Sequence, residues 1–587
     1  MSTTLTLIIV FLMLVVLIRE WADSLIVFLV VVTLFLLLGY INLDEAVSGF
    51  SNKGVLAIAA LYIIASSLEK SLYFKNITRF DTLNETNFNA LPFYGSLMAL
   101  SAFMNNTPLV SLYIPIVRRI SLKTGIHIQK LLIPVSYFAL FGGVLTLIGT
   151  STNLVVSGLA EDYGFGAFHF FEQTPIAIPA VLFASVYVFM FYRKRLPARN
   201  DSDQTQMSKQ NEHVVRFVVH QKSPIIDKTV AQAKLRSLKG VYLFSILRQN
   251  ERIFPVTPDT IIKAEDILVF SGQTQDIDEL KQIDSISLET DQMLQTDYFN
   301  NDNTLLVEAV MTGTLGSSHE SIKDLKFRDH YHAVVLGVIR NGLRIEEKIG
   351  DIVLRLGDTL LLLIEKSQLN NFNSHSSFTI INQEDRDEVL DSRHSFLPIG
   401  IFILTILVSS VFNVDILYSA LFGISLLFLT NTITVEWAIS KIDFKTIIMI
   451  SLSFAIGKAM TNTGVSTWLG QLFMVTVGNA HPLIILAGAY IFTNILTEII
   501  TNNAAAVLAV PIVVEIAQLS HLDVKPFLLV VAIAASASFL SPYGYQTNLM
   551  VYAAGRYRFR DFIKFGFPVT FIFFIATVLT TYALFFA

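Results

Sequence analysis

Two short polar clusters interrupt an otherwise greasy chain, and each occurs twice. Asn105-Asn106-Thr107 lies in MNNTPLVSLYIPIV, and Thr501-Asn502-Asn503 lies in TNNAAAVLAVPIVV. Asn106 stands nine residues before Pro115, and Asn502 stands nine before Pro511. Further on come IGTSTNLVVSG, with Gly149 four residues before Asn153, and SPYGYQTNLMVYAAG, with Gly544 four before Asn548. Asn106 to Asn153 is 47 residues and Asn502 to Asn548 is 46. Matching internal and mutual spacing marks a duplicated site. Gly149, Pro542 and Gly544 are helix breakers deep in apolar segments. Bare backbone cannot face lipid, so such breaks belong where they line a protein or water cavity. Paired breaks in the two halves of a chain point to a binding site at the membrane midplane. The free N–H groups of a broken helix N-terminus suit an anion. Exposed carbonyls and Asn, Thr and Ser oxygens suit a hard cation such as sodium. A single Asn of this kind reads as interhelical glue; the doubled constellation reads as a transport site.

Two charges share the same greasy surroundings. Glu498 is four residues before Asn502, one turn below the cluster if that arm is helical. Lys458 lies in SFAIGKAMTNTG. Intramembrane charges are functional candidates by default. The two form a buried ion pair, or Glu498 binds a cation or a proton.

The elements that hold these residues follow from composition. The chain has 587 residues, 53% hydrophobic and only 15% charged, with no cysteine and a net charge of −5. That is too apolar for one large soluble enzyme, whose charged fraction is about 25%. No cysteine means no disulfide, Cys-zinc site, thiol catalysis or cysteine-bound iron–sulfur cluster. No basic run suggests a nucleic acid partner, no P-loop suggests ATP, and nothing asks for an organic cofactor. Residues 194–394 hold 24 of the 42 Lys and Arg and 30 of the 47 Asp and Glu. A charged insert therefore separates two membrane repeats, 1–193 and 395–587.

A spanning helix needs about 20 apolar residues. The first repeat reads as spans at 3–18, 24–41 and 54–70, a hairpin at 91–117, a long helix at 131–160 and a span at 174–192. The second reads as 396–413, 416–430, 445–462, a hairpin at 482–517, 527–555 and 566–586. No Lys or Arg precedes the first segment and no cleavage pattern follows it, so it reads as a span rather than a leader. If each hairpin re-enters on one side, each repeat crosses five times and the two are inverted. Arg118, Arg119, Lys123, Lys130, Arg193, Lys194, Arg195, Lys441, Lys445, Arg556, Arg558 and Arg560 then gather on one side, which the positive-inside rule makes cytoplasmic. This puts the insert inside and both termini outside, in a plasma membrane, the inner membrane if the cell is bacterial.

The clusters resemble those of the divalent-anion/sodium symporter (DASS) family, within the wider ion-transporter superfamily of dicarboxylate, citrate, sulfate and arsenite carriers. In that family each hairpin tip carries a Ser-Asn-Thr motif, here Asn105-Asn106-Thr107 and Thr501-Asn502-Asn503. The resemblance implies a substrate anion held by Asn106, Thr107, Thr150, Asn502, Asn503 and Tyr545. It implies one sodium around Asn105, Asn106, Gly149 and Asn153, and a second around Thr501, Asn502, Gly544 and Asn548. The sequence departs from the family in places: the first tip lacks its Ser, Asn503 stands for Thr, the Gly-Thr-Pro-Pro-Asn loop of the dicarboxylate carriers reads Gly149-Thr150-Ser151-Thr152-Asn153, and Tyr545 stands where they have a Thr. The family also implies a homodimer.

The insert opens with a polar linker, 194–212, and carries its own repeat. ILRQNERI at 246–253 matches VIRNGLRI at 338–345, and EDILVF at 265–270 matches GDTLLL at 357–362, at a constant offset of 92. Short apolar runs with turn signals read as strands, with helices near 228–238 and 320–327. The two copies, 213–290 and 300–370, resemble the TrkA-C (RCK_C) domains of regulated potassium transporters and channels; 371–394 is a second linker. That resemblance implies dimerisation and the sensing of a small cytoplasmic ligand such as a cyclic dinucleotide.

The expected fold is a polytopic α-helical membrane protein, an inverted repeat of five spans plus a re-entrant hairpin per half, with an α+β cytoplasmic insert. The expected function is sodium-coupled symport of a sulfate-like oxyanion or a dicarboxylate by alternating access. The alternatives are a sodium/proton antiporter using Glu498 and a ligand-gated channel.

Overall fold

The computed structural model describes the chain apart from residues 1, 20, 69–89, 199–212, 222, 234, 236–240, 249–250, 254–255, 257–258, 273–285, 289–303, 314–320, 341–342, 346, 348, 370–371, 373–376, 382–395, 413 and 478–480. Most of both linkers lies outside the described residues. The chain divides into two compact units, one of residues 1–198, 314–317 and 384–587, the other of 199–313 and 318–383.

The first unit is helical, because only internal hydrogen bonding satisfies backbone groups in hydrocarbon. The first half supplies α1 (Ser2–Ile18), α2 (Ser24–Leu37), α3 (Lys53–Ser67), α4 (Ala90–Ser101), α5 (Asn106–Thr124), α6 (Leu132–Gly143), α7 (Ser151–Asp162) and α8 (Thr174–Arg195). The second supplies α9 (Leu397–Phe412), α10 (Ile416–Leu429), α11 (Phe444–Asn462), α12 (Val465–Val477), α13 (Pro482–Ile499), α14 (Asn502–Leu519), α15 (Val524–Ser536), α16 (Gln546–Gly555) and α17 (Phe559–Phe585). Among the described residues, six helical stretches are long and apolar enough to cross a membrane. Both expected hairpins form, α4–α5 and α13–α14. The segments 131–160 and 527–555 are each two helices, broken at the residues where Gly149, Pro542 and Gly544 stand. The sequence reading has no helix at 465–477. Its 13 residues are too short to span, and α12 packs along α14 instead.

The helices sort into two groups, each drawn from both halves. In one, α2 packs on α11 and α3 on α10. In the other, α8 packs on α17, α7 on α14 and α15, and α16 on α5 and α6. The last two pairings are the same contact made in both directions: the helix after each break lies against the other half's hairpin and the helix before its break. Tyr137 braces this group by donating to the Phe539 carbonyl (2.6 Å), and Tyr557 by accepting from the Ile133 amide (3.1 Å).

The second unit holds two five-stranded antiparallel sheets of identical order. The first joins β1 (His213–Val219), β2 (Val241–Arg248), β3 (Glu251–Ile253), β4 (Ile267–Gly272) and β5 (Ile286–Leu288) as β3-β2-β4-β1-β5. The second joins β6 (Thr304–Met311), β7 (Ala333–Arg340), β8 (Leu343–Arg344), β9 (Thr359–Glu365) and β10 (Phe378–Ile380) as β8-β7-β9-β6-β10. The offset of 92 holds down to single bonds. Arg248 donates to both oxygens of Asp266 (2.8 and 2.8 Å) and to the Ile261 carbonyl; Arg340 does the same with Asp358 (2.8 and 2.7 Å) and the Val353 carbonyl. Each aspartate is buried, and each pairing raises its arginine's pKa above the usual range through the hydrogen bond to the carboxylate. One apolar cluster, with Val269, Val334, Leu336 and Leu363 buried at its centre, draws from both sheets.

Two expectations fail here. The described residues of 228–238 form turns rather than a helix, because their backbone groups bond to 260–262: Val230 N–H reaches Thr260 and Ile262 N–H reaches Lys228 (both 3.0 Å). Residues 321–326 are tied to 350–352 in the same way, and helix forms only at Phe327–Tyr331. The second sheet also runs past residue 370, since β10 pairs with β6 as β5 pairs with β1.

Candidate functional site

Each tip is built by a hydroxyl five residues before its Asn. The Ser101 hydroxyl sits between Asn106 Oδ1 and the Ala139 carbonyl. Thr497 Oγ1 sits between Asn502 Oδ1 (2.9 Å) and the Ala535 carbonyl (2.5 Å). With each oxygen so engaged, each amide nitrogen is left for other partners. The sequence reading does not name Ser101 and Thr497. Their common spacing of five to Asn106 and Asn502 is the signal that finds them.

The breaks are closed by the second asparagines. Asn153 Nδ2 donates to the carbonyls of Gly143 (3.1 Å) and Thr146 (2.9 Å). Asn548 Nδ2 donates to those of Ser538 (2.8 Å) and Ser541 (3.2 Å). Their oxygens differ. Asn548 Oδ1 accepts from Ser136 (2.7 Å), while Asn153 Oδ1 is buried with no hydrogen-bond partner. Glycine is required at both breaks by close approach: a Cβ on Gly149 would lie 2.6 Å from the Gly143 carbonyl, and one on Gly544 would lie 2.8 Å from that of Thr497.

Side chains then join the two halves. Asn106 Nδ2 donates to the Tyr545 hydroxyl (2.9 Å), which also bonds Thr150 Oγ1 (3.1 Å). Thr107 donates to Gln546 Oε1 (3.1 Å). Asn503 Oδ1 accepts from Ser151 (3.2 Å) and Thr152 (3.1 Å). These bonds gather the N-termini of α5, α7, α14 and α16 around one place. α3, of the other helix group, packs against α7 and so reaches the same place. Asn502 Nδ2 is buried and has no hydrogen-bond partner. Asn105 and Thr501 are exposed at the two N-caps, and Asn105 accepts from Thr107 N–H (3.4 Å).

The Glu498–Lys458 pair does not form. Glu498 Oε1 accepts from the amides of Phe539 (2.8 Å) and Leu540 (3.0 Å), and Oε2 from the Ser541 amide (2.8 Å) and the Ser538 hydroxyl (3.2 Å). The break at 537–545 frees those amides from helical bonding, and the carboxylate takes them. Lys458 instead meets Asp162 (3.5 Å) and lies over the Tyr163 ring.

Apolar helices that carry a polar, donor-rich centre built from two repeats define a polytopic membrane transporter. The citrate transporter family model matches residues 13–522, with a further match over 401–587. The chain belongs to that family and is an integral membrane protein. It is 33% identical to a protein of Chlamydomonas reinhardtii whose name refers to the sulfur deprivation response, over 93% of this chain and 95% of that one. It is 28% identical to an uncharacterized transporter of Synechocystis sp., over 98% and 96%. It is 23% identical to sodium/sulfate cotransporter 2 of Chlamydomonas reinhardtii, over 90% and 83%.

Proposed function

We propose that the protein is a secondary active transporter that couples sodium entry to import of a small anion, a sulfate-like oxyanion or a dicarboxylate, by alternating access. The observation that carries this reading is Asn502 Nδ2, a buried donor with no acceptor at a point where four helix N-termini meet. An unmet buried donor costs about 1–3 kcal/mol, and an anion relieves it where the helix ends already favour negative charge. Asn153 Oδ1 is the converse, a buried acceptor without a donor. It suits sodium, together with carbonyls of the break at 144–150. The second sodium would lie at the equivalent break, near Asn548 and Gly544. The name of the sodium/sulfate relative supports both choices.

The antiporter reading needs a midplane carboxylate open to protons, and Glu498 is enclosed by four donors. The wider scheme keeps five spans and a re-entrant hairpin per inverted half, a homodimer in the cell's plasma membrane, and an insert whose two sheets act as TrkA-C domains that bind a small cytoplasmic ligand and restrain transport. Uptake of radiolabelled sulfate and succinate into proteoliposomes tests the coupling. Uptake of one anion should require a sodium gradient and vanish with choline. Equal uptake in choline would refute sodium coupling.

A further inference from the structure

We propose that Tyr545 is a specificity-determining residue that restricts the site to compact tetrahedral oxyanions and keeps out extended dicarboxylates. This rests on the reading that the two tips bind the substrate.

The internal repeat supplies its own control. Thr150 and Tyr545 fill the same backbone slot, the N-cap of the helix after each break, with φ and ψ of −144° and 145° against −142° and 139°. From one slot a short hydroxyl projects. From the other a phenol reaches several ångströms further and crosses to the opposite half. Its hydroxyl arrives 2.9 Å from Asn106 Nδ2 and 3.1 Å from Thr150 Oγ1. Tyr545 therefore stands in front of the first tip and takes the donor that Asn106 would otherwise offer. Thr150 is too short to do the same to the second tip. Asn502, only 7% exposed, keeps its amide N–H groups unpartnered. Of two equivalent buried amides, one has a partner and one has none.

The ligand chemistry follows from that asymmetry. An extended dicarboxylate carries a charge at each end and needs a donor set at each tip. Here the amide donor of the first tip is already taken by the Tyr545 hydroxyl. A tetrahedral oxyanion concentrates its charge on one centre, which donors gathered at one tip can serve. A phenol has one hydrogen and two lone pairs. When Tyr545 accepts from Asn106 and Thr150, its hydrogen is left for the anion, so the residue that narrows the site also contributes a donor. The surrounding bonds, Thr107 to Gln546 and Ser151 and Thr152 to Asn503, tie each tip to the broken helix of the other half.

The test uses the full chain in proteoliposomes with labelled sulfate, labelled succinate and a sodium gradient. The wild type should take up sulfate, with succinate uptake lower by about tenfold or more, and excess unlabelled succinate should not compete. Tyr545→Thr should raise the succinate-to-sulfate ratio by about tenfold or more. Tyr545→Phe keeps the ring and should keep succinate out, while weakening sulfate by about tenfold or more through the lost hydrogen bond to a charged ligand. Sodium-driven succinate uptake by the wild type, or competition by succinate, overturns the size filter and leaves the transport reading standing. A Tyr545→Thr protein that moves sulfate with the ratio unchanged also overturns it. If that variant does not insert, the wild-type competition and Tyr545→Phe still decide. A wild type that moves no anion overturns the transport reading and this proposal together.

Discussion

Glu498 shows how a buried charge is decided by the backbone around it. Its four donors are three amides and a hydroxyl of a single break, so the residue fixes the loop beside the second tip. In the first half the corresponding loop is held differently, by the Thr146 hydroxyl on the Ala102 carbonyl. Glu498→Gln sets an amide N–H against one of the donors whichever way it turns, and should cost about 1–3 kcal/mol. Lys458→Ala removes a partly exposed ion pair and should cost about 0.2–1 kcal/mol. Thermal unfolding of the purified protein should therefore show a clearly larger drop for Glu498→Gln. Equal drops would mean that the lysine supports the glutamate after all. The asparagines, glycines and Tyr545 were legible from spacing, because a repeat makes chance unattractive. Ser101 and Thr497 were not, because a lone hydroxyl in an apolar helix is common and gives no separate signal, and the carbonyls they bond lie 38 residues away. The Glu498–Lys458 pairing was misread because linear spacing says nothing about which amides a break sets free.

At the scale of elements, what could be read was the interruption. Gly149, Pro542 and Gly544 break apolar runs too long for one polar purpose, and both breaks form where those residues stand. What could not be read was orientation and partner. α12 escapes notice because 13 residues fall short of a span, yet it packs along α14. The turns at 228–235 and 321–326 carry helix-like composition, but the competing backbone partners lie some thirty residues away in sequence. The strands are the reverse case. Their repeat at 92 residues was legible, and the Arg248–Asp266 and Arg340–Asp358 clamps recur at that offset, each giving a buried aspartate a matched donor set. β10 was missed because three residues make too short a pattern to see.

At the scale of the molecule, duplication does two jobs. In the membrane unit it lets the broken helix of each half pack on and bond the tip of the other. In the insert it lets one sheet cover an apolar face of the other within a single chain. Under the proposed alternating-access cycle the insert lies in sequence between moving halves, so a ligand that binds it better in one transport state biases that state by its differential affinity. A protein joined from 199 to 394 by a short flexible linker should transport faster than the wild type and lose its crosslinked dimer in membranes. Wild-type rate and an unchanged dimer would reduce the insert to a passenger. The central claim is that both halves build one anion site, and sodium-driven sulfate uptake by Asn106→Ala and Asn502→Ala, each alone, tests it most directly. Each should insert normally; Asn502→Ala, which removes the unpartnered buried donor, should lose about ten- to a hundredfold in apparent affinity, and Asn106→Ala, which removes the partner that positions Tyr545, should lose less but measurably. Near-wild-type uptake by both would contradict a shared site.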